Sequence, residues 1–158
     1  MKGDGDEMAI FTSRFSNPEL KKGIYKTVRI SIGKPRWEVG YRLDAEISDL
    51  MPFGLKGEAL EVFKRAYVSK LEKIGFEKIK AHLEQLQEDG KDVVLLCYED
   101  IRKPEAWCHR TMFADWWHKM TGETIEELPD PTDAATVKPS KESTSGIMPS
   151  MQLTLFGT

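Results

Sequence analysis

One stretch limits the possible folds more than any other: Asp92-Val93-Val94-Leu95-Leu96-Cys97-Tyr98-Glu99-Asp100. From Val93 to Cys97 every side chain is apolar. Because a strand sends successive side chains to opposite faces, an unbroken apolar run needs cover on both sides, as in a buried parallel sheet. The flanking pattern agrees. Met8–Arg14 and Thr27–Gly33 read as strands, and Lys34–Leu43, with Pro35 and Gly40, reads as a loop. From Gly57 the period becomes helical: Leu60, Phe63, Tyr67 and Leu71 share one face, and Phe76, Ile79, Leu83 and Leu86 share another. Gly75 separates these two helices, and the second stops at Gly90. Pro104 and Glu105 are expected to open a third helix running to Gly122, burying Phe113, Trp116, Trp117 and Met120; Thr124–Leu128 is a last strand. Strands alternating with helices predict a single three-layer α/β domain with a mainly parallel sheet.

The 158 residues suit one domain of ordinary size. Residues 8–130 are expected to form it, after a disordered, acidic and Gly-rich N-terminus at 1–7. Residues 131–150, dominated by Pro, Ser, Thr, Lys and small side chains, bury too little apolar area to offset their ordering entropy and read as a disordered linker. Residues 151–158 form a separate short peptide. The formal charge of -3 draws the whole chain neither to nucleic acid nor to anionic lipid, so such partners would need a local patch. No run approaches the roughly 18 apolar residues of a membrane span, and the N-terminus lacks the basic-then-apolar order of a signal peptide. Cys97 and Cys108 are therefore expected as thiols in a cytoplasmic protein, with no membrane partner.

The chemistry-bearing residues cluster around that central strand. Cys97 and Glu99 lie at its carboxyl end, where open α/β sheets form ligand crevices, and two residues apart they point to one side if the strand persists. Cys108, His109 and Arg110 fall in the first turn of the next helix, whose N–H groups and dipole favour a thiolate beside a His and an Arg. Plain packing of Cys97 is the competing reading, since cysteine is among the most buried residue types. Cys97, Cys108, His109 and His118 together could ligate a metal, but the spacing lacks the close Cys pair of a zinc knuckle, so neither a metal nor another cofactor is expected. A phosphatase-type loop wants Arg six positions after its Cys, where Lys103 stands. His82 reads as a surface residue. In Gly33-Lys34-Pro35-Arg36-Trp37 two cations and an aromatic sit at a sheet end, able to hold a phosphate and stack a base; the alternative is two solvated charges and a packed Trp37.

The pairing of Val93-Val-Leu-Leu-Cys97-Tyr-Glu99 with Cys108-His109-Arg110 resembles the bacterial and archaeal family named "domain of unknown function 488". The stretch Thr12–Pro52 is similar to the branch in which a strand leads into an Ile-Gly-x-Pro-Arg loop, and the likeness spans about residues 8–130. This chain carries a longer insertion, Asp100–Trp107, between Glu99 and the second cysteine. The resemblance implies a three-layer α/β fold and a site at Cys97, Glu99, Cys108, His109 and Arg110, with Arg29, Pro35 and Arg36 nearby. It implies no particular reaction.

The peptide Gln152-Leu153-Thr154-Leu155-Phe156 resembles the bacterial sliding-clamp-binding motif. Leu155 and Phe156 would fill one apolar pocket, Leu153 would add contact area, and Gln152 would bond at the rim. Burying each large apolar side chain yields roughly 1.5–3 kcal/mol, less the ordering cost. A flexible linker of this length reaches roughly 25 Å. Together these features predict a clamp-associated enzyme of nucleic-acid metabolism, in which Cys97 or Cys108 is the reactive thiol, Glu99 a general acid or base, and His109 a proton shuttle. Arg110, Arg36 and Arg29 would hold anions, and DNA repair by base or nucleotide hydrolysis is the nearest reaction class. The rival expectations are a non-catalytic adaptor or inhibitor of the clamp, and a thiol or metal sensor.

Overall fold

A computed structural model describes residues 9–132. The expected disordered N-terminus, all but two residues of the expected linker, and the clamp peptide at 151–158 lie outside the described residues. The fold is α/β, as the apolar pattern requires. Five parallel strands, β1 (Ile10–Arg14), β2 (Tyr25–Arg29), β3 (Ala45–Glu46), β4 (Asp92–Cys97) and β5 (Glu126–Glu127), lie in the order β3-β2-β4-β1-β5. The apolar run occupies the centre. Val93 pairs with Ile10 of β1 on one side and Lys26 of β2 on the other, and Cys97 ends opposite Arg14.

Handedness explains the layers. The connections β3-to-β4 and β4-to-β5 run one way along the sheet, and right-handed crossovers place their helices on one common face. These are α1 (Leu60–Ile74), α2 (Phe76–Leu86) and α3 (His109–Thr121). Val28, Ile30, Val93 and Leu95 meet them there, packed with Phe63, Tyr67, Leu83 and Phe113. The connections β1-to-β2 and β2-to-β3 run the opposite way and cover the other face. That third layer is thin: a 3-10 turn at Pro18–Lys22 and the loop bearing Val39, Tyr41 and Leu43 lie over Val94, Leu96 and Phe15. Among the described residues no helix is long and apolar enough to cross a membrane.

Several boundaries differ from expectation, with β2 starting at Tyr25 and β5 reduced to Glu126–Glu127, and two of the differences have local reasons. β2 ends at Arg29 rather than Gly33, because the Arg29 guanidinium donates to the carbonyls of Ser31 and Ile32, and the Ser31 hydroxyl donates to that of Gly33. These bonds turn the chain away from the sheet. α3 starts at His109 rather than Pro104: the Asp100 carboxylate accepts from the backbone and guanidinium of Arg102, and Glu105 takes a left-handed φ of 65°. Residues after β4 therefore form a turn before the helix. Met120, expected on the buried face, is 48% exposed.

Candidate functional site

The carboxyl end of β4 and the start of α3 converge. Cys97 is the last residue of β4, and Cys108 is the residue preceding α3, with extended backbone at φ -151°. His109 opens the helix with its ring turned toward both thiols. All three residues are buried. His109 Nδ1 lies 3.7 Å from Cys97 Sγ and 3.8 Å from Cys108 Sγ, and the three donor atoms fall within 4.8 Å of one another. On the far side of the ring, Nε2 is 2.7 Å from the Ile30 carbonyl oxygen. A carbonyl oxygen only accepts, so Nε2 carries a proton; in the neutral ring the Nδ1 lone pair then faces the sulfurs, and in the imidazolium an Nδ1–H donates to them. Tyr67 packs edge-on against this ring at 5.4 Å and donates its hydroxyl to the Leu50 carbonyl.

Charge divides the thiols. Burial pushes Cys108 up, but hydrogen bonds from Cys97 and His109 and the nearby positive charges of His109 and Arg110 outweigh it and hold Cys108 below the usual thiol range. Cys97 is pushed up, first by its hydrogen bond to Cys108 and then by burial. The two thiols are thus driven in opposite directions, and ionisation is favoured on the sulfur at the helix N-terminus. Glu99 is an exposed residue, and its carboxylate accepts from Cys97 Sγ at 3.5 Å. Partial burial of that carboxyl, followed by the Cys108 charge, raises its affinity for a proton.

The trio forms the floor of a cleft of about 700 Å³. Phe63, Tyr98 and Trp107 provide aromatic wall, with Phe63 and Trp107 rings 5.0 Å apart. Glu99 and Lys56 bring charge to the same cleft.

The expected site residues separate into three groups. Cys97, Glu99, Cys108 and His109 come together. Arg110 is fully buried and is directed elsewhere: its guanidinium holds the Glu127 carboxylate at 2.7 Å and the Glu99 carbonyl at 2.8 Å. It sets the position of the Glu99 backbone and adds charge behind the thiols. Arg29 is likewise committed, to Glu46 at 2.6 Å and to the turn that ends β2. Lys34, Arg36 and Trp37 are exposed on the neighbouring loop, and Trp37 reaches the site through Tyr98, its ring 6.0 Å away. His118 sits at the other end of α3, about 14 Å along the helix from His109, bonded to the Glu123 carbonyl. Among the described residues, Cys97, Cys108 and His109 are the donors grouped closely enough to hold a metal ion.

Sequence reading missed the cleft walls. Tyr98 was legible as the residue between Cys97 and Glu99, and a Cβ on Gly33 would stand 3.3 Å from its hydroxyl. Phe63 looked like any core residue of α1, and Lys56 lies in a loop with no pattern of its own.

No family model matches the chain, and no solved structure matches it. Two curated proteins of Porphyromonas gingivalis strains, tRNA dimethylallyltransferase 2 and tRNA dimethylallyltransferase 1, are each 24% identical over 121 residues. The alignments cover 72% of this chain but 40% of the relatives, so the chain spans well under half of their length.

Proposed function

We propose that the chain is a clamp-associated enzyme of nucleic-acid metabolism, acting on a base or nucleotide held in the aromatic cleft above Cys97, Cys108 and His109. The observation that carries this reading is the meeting of two thiols and an imidazole, with a carboxylate beside them, in a cleft walled by Phe63, Tyr98 and Trp107. Aromatic faces hold bases by stacking regardless of sequence, at roughly 1–3 kcal/mol per base. Thiol and carboxylate at hydrogen-bond reach are the parts of nucleophilic and acid–base catalysis. Cys108 is the candidate nucleophile, since the helix N-terminus and Arg110 favour its thiolate, and Glu99, raised in proton affinity, serves as acid or base at the rim. Arg110 and Arg29 act as positioning residues, leaving Lys56, Lys34 and Arg36 as cations available to a phosphate. The relatives named for tRNA lend support to nucleic acid as the substrate class, whereas the dimethylallyl transfer in their name belongs to proteins of which this chain spans 40% and is not carried over.

The clamp part rests on Gln152, Leu153, Leu155 and Phe156, which match the clamp-binding pattern at its informative positions. Recovery of purified bacterial clamp on the full chain should fall at least about tenfold when Gln152–Thr158 are removed; equal recovery would remove the clamp from the reading. For the enzyme, Cys108→Ala and Glu99→Ala should each abolish complementation in a mutation-rate or DNA-damage assay where deletion of the gene has a phenotype. Full complementation by both variants would instead leave a non-catalytic clamp adaptor.

A further inference from the structure

The same cluster has a property that the proposed reaction does not require. Three soft or borderline donors converge on one point, and each is held by a rigid element: Cys97 by the central strand, Cys108 and His109 by the start of a 13-residue helix. In a tetrahedral zinc site with Zn–S near 2.3 Å and Zn–N near 2.0–2.1 Å, sulfur and nitrogen ligands stand about 3.6 Å apart. The two S–N separations here, 3.7 and 3.8 Å, are those of such an edge. The imidazole is also set as a ligand. Its Nε2–H is fixed on the Ile30 carbonyl, which directs the Nδ1 lone pair at the space between the sulfurs; this outer hydrogen bond is the usual support of a metal-binding histidine.

We propose that Cys97, Cys108 and His109 bind one thiophilic divalent cation, zinc, with the fourth coordination position open to the cleft and Glu99 beside it. Two thiolates and a neutral imidazole suit zinc, whereas an oxygen-seeking cation such as magnesium would find a single carboxylate nearby. Three protein ligands with one position facing a ligand-sized cavity is the arrangement of a reactive rather than a closed structural zinc site. The Glu99 carboxylate, 3.5 Å from Cys97 Sγ, is placed to complete the set or to accept a hydrogen bond from a water in the fourth position.

The inference concerns the cluster of the proposed enzyme but stands on donor geometry alone. The test uses the full chain, purified in reductant and stripped with a chelator, then titrated with Co²⁺ and afterwards with Zn²⁺. One equivalent of cobalt should produce the ligand-field bands of a tetrahedral site and charge-transfer absorption from two thiolates, and zinc should bleach both. Cys97→Ser and Cys108→Ser should each weaken binding by about 100-fold or more, with circular dichroism checking that the fold survives. The unsubstituted chain already decides the matter if a variant fails to fold: no charge-transfer band at stoichiometric cobalt, or only octahedral cobalt, overturns the site. Tetrahedral bands that persist in both folded serine variants overturn it too. Metal bound without any nucleic-acid phenotype keeps the site and retires the enzyme, whereas full complementation by a chain that binds no metal does the reverse.

Discussion

A carbonyl oxygen can only accept a hydrogen bond, and that single fact sets the tautomer of the neutral His109 ring. With Ile30 fixing the proton on Nε2, the ring must offer Nδ1 to the thiols. What holds the ring in place is its neighbour Tyr67, fully buried with its hydroxyl 2.6 Å from the Leu50 carbonyl. Tyr67→Phe keeps the ring contact, removes the hydroxyl and leaves the Leu50 oxygen without that donor. The expected loss is about 1–2 kcal/mol, read as a lower urea midpoint at unchanged slope. A midpoint equal to that of the original chain would mean that water replaces the bond.

At the scale of elements, β5 shows how a short strand is secured. It is two residues long and, among the described residues, pairs with β1 alone. Its Glu127 accepts from the Thr12 hydroxyl at 2.7 Å and from Arg110 at 2.7 Å, joining β1, α3 and β5 in one network. Arg110 has no exposed surface, so removing its partner leaves a buried cation. Glu127→Ala should therefore cost about 3 kcal/mol, well beyond an exposed ion pair. Hydrogen exchange should report the loss first at Glu126–Leu128 and the first turn of α3. Loss confined to β5, with α3 unchanged, would show that Arg110 finds another partner. The start of α3 illustrates the same dependence: Pro104 and Glu105 look like a helix opening, yet the Asp100–Arg102 turn captures the chain and delays the helix to His109.

The whole molecule is closed at one end by charge. Arg14 at the end of β1 holds Asp130 at 2.7 Å, and Arg102 reaches both Asp100 at 2.9 Å and Asp130 at 3.5 Å. The clasp ties β1, the loop after β4 and the chain beyond β5. The Arg102 hydrogen bond lowers the Asp100 carboxyl from 3.8 to about 2. Burial opposes ionisation of Asp130, but bonds from Arg14 and Thr132 outweigh it, and this carboxyl too is lowered. Depressed carboxyls bind fewer protons in the folded chain than in the unfolded one. The stability they contribute is present above the ordinary carboxylate range and is lost as pH falls from about 4 toward 2. Denaturation midpoints should drop across that window, and Asp100→Asn should flatten the drop; an unchanged slope would remove Asp100 from the clasp.

Fold class was legible because burial on two faces leaves a mark in one strand: Val93–Cys97 allows no solvent-exposed side, and the helical spacing of Phe63, Tyr67 and Leu71 supplies its cover. Crossover handedness then follows from chain chirality, although which connections would be helices and which thin loops depended on strand order. The site was legible in its residue types. Glu99, Cys108 and His109 stand out as groups a core does not need, whereas Cys97 by itself also reads as a packed strand residue. Their grouping at the end of the central strand was expected, but the distances between them were not legible, because Cys97 and His109 are separated by a loop whose path is set by local bonds at Asp100 and by the left-handed Glu105. The roles of the arginines were hidden for a related reason. A guanidinium looks the same in sequence whether it faces solvent or a buried carboxylate, and only the packing of β5 against α3 gives Arg110 to Glu127. Patterns of hydrophobicity act between neighbours and survive in one dimension. Ion pairs, tautomers and cleft walls arise between residues distant along the chain, and the tertiary structure alone decides them.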